Sequence, residues 1–158
     1  MCMITLDVTK YNAENVYFFA PVANNIIANS IFTKMIYSTD SFIMNGIYIL
    51  LHITDYNIEK RYNKNVYSFQ FDDAVKNRLV SIEGEMLANY KCSNKTAVIK
   101  LREHIQDNKV KISIPMGESS AYYKKTLIIK ISGIWENAES YGITYKFIMT
   151  NNMYHFPE

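Results

Sequence analysis

Hydrophobic and polar residues alternate with different periods along the chain, and the changes of period divide it into three parts. In the first part, residues 31–37 and 42–53 alternate with a period of two, which predicts two strands joined as a hairpin by a polar turn. Residues 16–22 form an aromatic and β-branched run that predicts a further strand. The Asn-Gly pair at residues 45–46 favours either a tight turn or a bulge.

The middle of the chain changes to a helical period. Apolar residues recur at steps of three and four, which predicts an amphipathic helix. This stripe consists of Val75, Leu79, Ile82, Met86 and Tyr90. Asp72 and Asp73 precede it and predict a cap, because a short carboxylate accepts hydrogen bonds from the free N–H groups of a helix start. Gly84 weakens a helix by about 1 kcal/mol relative to alanine, so we expect close packing at this position.

A second helix is predicted over residues 96–106, with Ser93 or Asn94 as its cap. Helical spacing gives this segment an apolar face directed at the core. The face consists of Ala97, Leu101 and Ile105.

The last part of the chain returns to a period of two. Residues 109–114, 127–131 and 141–149 alternate, and the last two segments predict the clearest hairpin. Strands, then two helices, then strands predict an α+β domain of mostly antiparallel sheet. This order fits either an oligonucleotide-binding-type barrel with two helices inserted in the middle of the chain, or a sandwich-like sheet with helices over one face. We expect one globular domain over residues 1–150 and a short tail over residues 151–158.

Composition and charge exclude several classes of protein. The 158 residues carry a net charge of +2 and are 49% hydrophobic, which is typical of a globular domain and not of a disordered chain. No apolar run reaches the roughly 20 residues that span a bilayer, so we expect no membrane partner. The N-terminus lacks the features of a secretory signal, and two cysteines are too few for a disulfide framework. We therefore expect an intracellular protein.

Catalytic chemistry is poorly represented. The histidines and cysteines have neither metal-ligand spacing nor acid–base partners nearby in sequence, and no phosphate-binding glycine loop is present. These residues are His52, His104, His155, Cys2 and Cys92. The paired carboxylates Glu83 and Glu85 are expected on a helix surface. The sequence therefore predicts no enzyme, no metal and no cofactor.

Two segments, residues 60–67 and 122–125, mix tyrosine with lysine or arginine. Single-stranded nucleic acid is bound by this combination, because aromatic rings stack on bases while cations follow the phosphates. Lysines on the outward strand faces extend both patches. The candidate nucleic-acid contacts are Lys34, Tyr37, Lys60, Arg61, Tyr62, Lys64, Tyr67, Tyr122, Tyr123, Lys124, Lys125, Lys130 and Lys146.

The composition of the chain limits how strongly these two patches indicate binding, because Ile, Asn, Lys and Tyr make up 64 of the 158 residues. A/T-rich codons favour these four residues, so we attribute part of the tyrosine and lysine content to the genome. We therefore take only the local clusters, residues 60–67 and 122–125, as indications of nucleic-acid binding.

The segments ISGIWE (131–136), YGITYKF (141–147) and FIMNGIYI (42–49) resemble small, mostly uncharacterised proteins of large nucleocytoplasmic DNA viruses. Those viruses carry single-stranded DNA-binding proteins, some similar to the phage type with an oligonucleotide-binding barrel. Phage-type members end in an acidic tail with a terminal aromatic residue, whereas this chain ends in YHFPE (154–158) with one acid. No binding residue is therefore transferred from that family.

Our leading hypothesis is a non-enzymatic protein that binds single-stranded DNA or RNA in viral replication, through tyrosine stacking and lysine or arginine contacts to phosphate. The alternative is a viral structural or interaction module that assembles through its sheet surface or an edge strand such as residues 109–114. The partners implied are nucleic acid, a second copy of the chain, or a virion or replication protein. The locations implied are the viral factory in the host cytoplasm, the nucleus or the virion.

Overall fold

The elements follow one another broadly as the hydrophobic pattern predicts, and the α+β class is confirmed. The computed structural model describes residues 4–90, 94–107, 110–115 and 126–150. Its helices are α1 (Asp73–Asn89) and α2 (Lys100–Gln106). Its strands are β1 (Leu6–Asp7), β2 (Val16–Phe18), β3 (Val22–Ala23), β4 (Ile31–Ser38), β5 (Ile43–Asn45), β6 (Ile47–Leu51), β7 (Ile53–Arg61), β8 (Lys64–Phe71), β9 (Thr96–Val98), β10 (Lys111–Pro115), β11 (Thr126–Glu136) and β12 (Ser140–Thr150). The predicted tail, residues 151–158, lies outside the described residues.

The main sheet contains nine of the described strands and is organised around β11. On one edge, β11 pairs with β12 in the hairpin that the sequence predicts. On its other edge, β11 pairs first with β6 over residues 127–131 and then with β4 over residues 133–136. Strands β2, β3 and β5 pair with β4. The pairs β1–β6 and β12–β9 are parallel, so the sheet is mixed.

The change of partner along β11 coincides with an irregularity at Ser132, where the pairing with β12 shifts between Ile131 and Gly133. The Asn-Gly pair at residues 45–46 lies beside it. Gly46 adopts a φ of 82°, and its N–H donates to the Met35 carbonyl at 3.1 Å. At this left-handed residue the chain leaves β4, with which β5 pairs, and joins β11 as β6.

One face of the main sheet, called the inner face below, packs against α1. The predicted stripe of this helix is confirmed, since Val75, Leu79, Ile82 and Met86 are buried. The Asp72 carboxylate caps the helix by accepting a hydrogen bond from the Val75 N–H at 2.8 Å. The inner face supplies the matching apolar side chains, which are Met35, Tyr37, Ile47, Ile49, Ile129, Ile131, Ile134 and Ile143.

A second sheet consists of β7, β8 and β10, all antiparallel. Its central strand directs Tyr67, Phe69 and Phe71 into the same core. The chain passes from the main sheet to this one at His52, between β6 and β7. Among the described strands, both sheets are open, and the pairings do not close either of them into a barrel.

The prediction of a second helix over residues 96–106 is wrong for its first turn. Residues Thr96–Val98 form β9, whose backbone pairs with β12, so α2 starts only at Lys100. Ile99 occupies the cap position and offers no side-chain acceptor, while Asn94 lies before β9 and Ser93 falls outside the described residues. A tertiary strand pairing therefore overrides the local helical spacing.

A buried carboxylate takes over as the cap of α2. Glu83, on α1, is completely buried, and its two oxygens accept hydrogen bonds from the backbone N–H groups of Leu101 at 3.0 Å and Arg102 at 2.9 Å. Burial raises the pKa of this carboxyl, while these hydrogen bonds act in the opposite direction. The expectation that Glu83 lies on a helix surface is therefore wrong, and the residue joins the two helices.

We expect Glu83→Ala to lower the free energy of unfolding by about 2–4 kcal/mol, because one buried and one partly buried N–H group lose their carboxyl acceptor. Urea denaturation followed by circular dichroism measures the change. Glu85→Ala is the matched control: Glu85 pairs with Arg78 on the same helix and is partly exposed, so its loss costs less than about 1 kcal/mol. Equal losses in both variants would contradict the capping role.

Two glycines differ sharply in the space around them. A Cβ on Gly133 would lie 2.2 Å from the Thr33 carbonyl oxygen, whereas a Cβ on Gly84 would meet no atom within 4 Å. The expected close packing at Gly84 is therefore wrong. We expect Gly133→Ala to destabilise the protein by about 3 kcal/mol through overpacking, and Gly84→Ala to stabilise it by about 0.5–1 kcal/mol through helix propensity. Thermal unfolding of the two variants tests both signs.

Candidate nucleic-acid interface

The face of the main sheet opposite α1, called the outer face below, carries cations and aromatic rings. Because side chains alternate along a strand, Phe32 and Lys34 on β4 point away from the buried Thr33 and Met35. The same alternation places Tyr48 on the outer face of β6. The outer face is thus built from the residues between the core positions.

Strand register brings outer-face residues of neighbouring strands side by side. On β11, Lys130 lies opposite Tyr48 of β6 on one edge and opposite Lys146 of β12 on the other. Gly133 of the same strand lies opposite Lys34. Directly opposite like charges destabilise a sheet, so the Lys130–Lys146 pair is unfavourable for folding alone.

A groove of about 540 Å³ opens on this face where β4 and β6 separate along β11. Its described lining contains two lysines and no carboxylate. The lining residues are Ile4, Phe32, Lys34, Ile43, Met44, Asn45, Gly46, Tyr48, Lys130 and Ser132. The groove therefore combines positive charge, two aromatic rings and a few polar groups.

The lysines lie against aromatic rings. The Lys130 ammonium is 5.1 Å from the centre of the Tyr48 ring, and the Lys34 ammonium is 5.8 Å from the centre of the Phe19 ring. In the described part of the chain, no carboxylate forms an ion pair with either lysine or with Lys146. Lys34 and Lys130 therefore each have an aromatic ring, and no described carboxylate, as a neighbour that stabilises their charge.

Two aromatic side chains lie across glycines of the adjacent strand. A Cβ on Gly133 would lie 2.7 Å from the Phe32 ring, and a Cβ on Gly142 would lie 3.0 Å from three atoms of the Trp135 indole. Both glycines lack the side chain that would lift the ring off the sheet. Phe32 and Trp135 lie opposite each other on β4 and β11 and remain half-buried. Phe32 lines the groove, and Trp135 lies beside it on the neighbouring strand.

The structure brings three of the predicted contact residues together. Lys34 and Lys130 line the groove, and Lys146 adjoins Lys130 on the same face. Tyr37 and Tyr67 are wrong as stacking residues, because their rings are only 1% and 2% exposed and belong to the core. The Tyr37 hydroxyl instead accepts hydrogen bonds from the segment before β2.

The basic patch predicted over residues 60–67 lies on the second sheet. Lys60, Arg61, Tyr62 and Lys64 surround the β7–β8 turn, with the Tyr62 ring fully exposed. Arg61 forms an ion pair with Glu59 at 3.1 Å, which lowers the pKa of that carboxyl. These residues do not line the groove. Tyr122, Tyr123, Lys124 and Lys125 fall outside the described residues.

Sequence reasoning missed the aromatic residues of the outer face. Phe32 stands two residues before Lys34 in an alternating strand, so the period of two already places both on one face. Tyr48 and Trp135 could be assigned to that face only through the pairings of β11 with β6 and with β4. Their contribution therefore depends on long-range contacts.

Other polar clusters hold elements of the fold together. His52 lies 2.5 Å from the Asp7 carboxylate, and hydrogen bonds from His52 and Thr9 outweigh the effect of burial and lower the pKa of Asp7 to about 2. Glu136 accepts a hydrogen bond from the Tyr90 hydroxyl at 2.8 Å and pairs with Lys95. No three metal-ligating side chains gather within the described ranges.

Neither described helix is long and apolar enough to cross a bilayer. The chain matches no protein-family model, no curated protein and no solved structure. Its function is therefore inferred from the geometry and charge of the outer face.

Proposed function

We propose that this protein binds single-stranded nucleic acid without catalysing a reaction on it, and that it does so through the outer face of the main sheet. The observation that carries the proposal is the groove in which Lys34 and Lys130 lie beside Phe32 and Tyr48 with no carboxylate in the described lining. Cations and stacking rings along one track are what a single strand requires.

Charge supports this proposal more strongly than composition does. Lys130 and Lys146 lie opposite each other across two strands, and no described carboxylate pairs with either. Such an arrangement weakens the fold unless an anion occupies the face. Local departures from the rules of stability are concentrated at functional sites, so these lysines favour a polyanionic ligand.

The aromatic rings beside the groove provide the surfaces on which bases can stack. Phe32 and Trp135 occupy the space that a side chain at Gly133 and at Gly142 would fill, so both rings are held in place before a ligand binds. Each base stacked on such a ring contributes about 1–3 kcal/mol, and every base has a face that can stack. Binding is therefore expected to tolerate many sequences and to depend steeply on salt.

The proposed binding site is one face of an open sheet, and not the groove of an oligonucleotide-binding-type barrel. The role in viral replication rests on the resemblance of residues 131–136 and 141–147 to proteins of large DNA viruses. Both segments belong to the strands that carry the outer face.

The alternative, a structural or interaction module, is favoured by exposed apolar side chains next to the groove. Tyr17, Phe19 and Ile43 are at least half exposed. A protein partner would cover them as readily as bases would. Light scattering with and without an oligonucleotide separates the two functions, because only the nucleic-acid binder responds to the oligonucleotide.

We expect the double variant Lys34→Gln with Lys130→Gln to weaken binding of a labelled oligothymidylate and to reduce the salt slope of log K by about 0.7 for each lysine. Fluorescence anisotropy over a salt series measures both. The control is Lys76→Gln with Lys111→Gln, which removes the same charge from α1 and β10.

Equal changes of slope in the two double variants would place binding outside the groove. No binding of the wild-type protein at ~50 mM salt would contradict the proposed function itself.

We expect Tyr48→Leu to weaken binding by about 1–3 kcal/mol, because a base loses its stacking surface, and Tyr62→Leu to leave it unchanged. Tyr62 is the matched control, since it is fully exposed at the β7–β8 turn. Anisotropy titrations at one salt concentration compare the variants. The reverse ranking would assign binding to the basic patch over residues 60–67. Oligothymidylate and oligouridylate, titrated in parallel, distinguish DNA from RNA.

A further inference from the structure

Strand β7 forms an exposed edge of the second sheet. It pairs with β8 on one side, and in the described part of the chain no strand pairs with its other side. All its residues from 54 to 61 are exposed, including the apolar side chains of Tyr56 and Ile58, which are 36% and 48% exposed. A nine-residue edge of this kind is a template for a further strand.

Alternate residues of β7 direct their backbone N–H and C=O groups to the open edge of the sheet. The Tyr56 N–H donates to the Asp55 carboxylate at 2.7 Å. Its partner in the ladder, Phe69, directs its own N–H toward β10, where the Val110 carbonyl accepts it. The pair Tyr56–Phe69 therefore exchanges no hydrogen bonds. By alternation, the N–H and C=O groups of Tyr56, Ile58 and Lys60 point to the open edge.

Symmetry restricts how two copies of β7 could pair. In an antiparallel pair related by a two-fold axis perpendicular to the sheet, each side chain stays on its own face. Opposed residues must then be separated by an even number of positions, and the axis passes midway between the two copies of one residue. The register also has to bring the outward backbone groups of both strands together, and every register centred on a residue does so, because it opposes even positions to even positions.

The register centred on Ile58 is self-complementary. It places Ile58 against its own copy, Tyr56 against Lys60, and Asp55 against Arg61 at each end. Acidic Asp55 lies near the start of the strand and basic Arg61 at its end, so antiparallel pairing opposes unlike charges. Centring on Tyr56 instead removes both charge pairs, and centring on Lys60 opposes two ammonium groups. Centring on Asn57 opposes Asp55 to Glu59, and centring on Glu59 opposes that carboxylate to its own copy.

We propose that β7 pairs antiparallel with β7 of a second copy in the register centred on Ile58, which joins two three-stranded sheets into one of six strands. The Tyr56 N–H then donates to the Lys60 carbonyl of the second copy, and this releases the Asp55 carboxylate to pair with Arg61. Most other registers of β7 against its own copy oppose like charges or leave charges unpaired, which disfavours those registers.

The first test is the mass of the full chain in solution, free of nucleic acid, by light scattering over a dilution series. We expect a dimer of twice 18.4 kDa that dissociates on dilution. Ile58→Pro removes an N–H that points to the open edge and not to β8, so we expect a folded monomer by circular dichroism. A wild-type monomer at every concentration, or a dimer that Ile58→Pro leaves intact, would overturn the proposal.

The second test exchanges charges and does not depend on the proline variant. Arg61→Asp opposes two carboxylates at both ends, and we expect it to raise the dimer dissociation constant about tenfold or more. Asp55→Arg combined with Arg61→Asp restores the opposition of unlike charges and is expected to restore the dimer. A double variant as weak as the single one would refute the register. Because no nucleic acid is present, neither outcome depends on the proposed function.

Discussion

The structure depends on β11, a strand that hydrogen-bonds on both of its edges and changes partner halfway along one of them. It pairs with β12 on one side, and with β6 and then β4 on the other. The change occurs at Ser132, where Gly46 and Gly133 allow backbones to approach more closely than a side chain permits. The groove opens at this divergence, so one constraint on strand pairing produces both the sheet and its candidate site.

The two faces of the main sheet differ in what they contribute to folding. Burial of the inner face against α1 supplies the stabilising apolar contacts. The outer face can therefore carry Lys130 and Lys146 opposite each other, an arrangement that contributes nothing favourable to folding. A face that the core does not need can keep a lysine pair that is unfavourable for folding. The pair therefore supports the proposal that the outer face binds an anion.

Polar groups within the core fix the positions of the helices. Glu83 on α1 caps α2, and the hydroxyl of Tyr90 at the end of α1 bonds to Thr33 and Glu136 of the sheet. Each contact satisfies a group whose burial would otherwise be costly. The helices are thereby held on the inner face, and the β7 edge and Lys34 and Lys146 of the outer face remain exposed.

The sequence by itself determined α1, the final hairpin and the alternation that places Lys34 and Lys130 away from the core, because these depend on burial within single segments. Alternation alone also shows that Lys34 and Tyr37, three positions apart on one strand, cannot share a face. Only the tertiary structure decided that β4 and β6 share β11, that residues 96–98 pair with β12, and that Glu83 caps α2. Strand partners and buried polar contacts join residues far apart in sequence, and no local pattern records them.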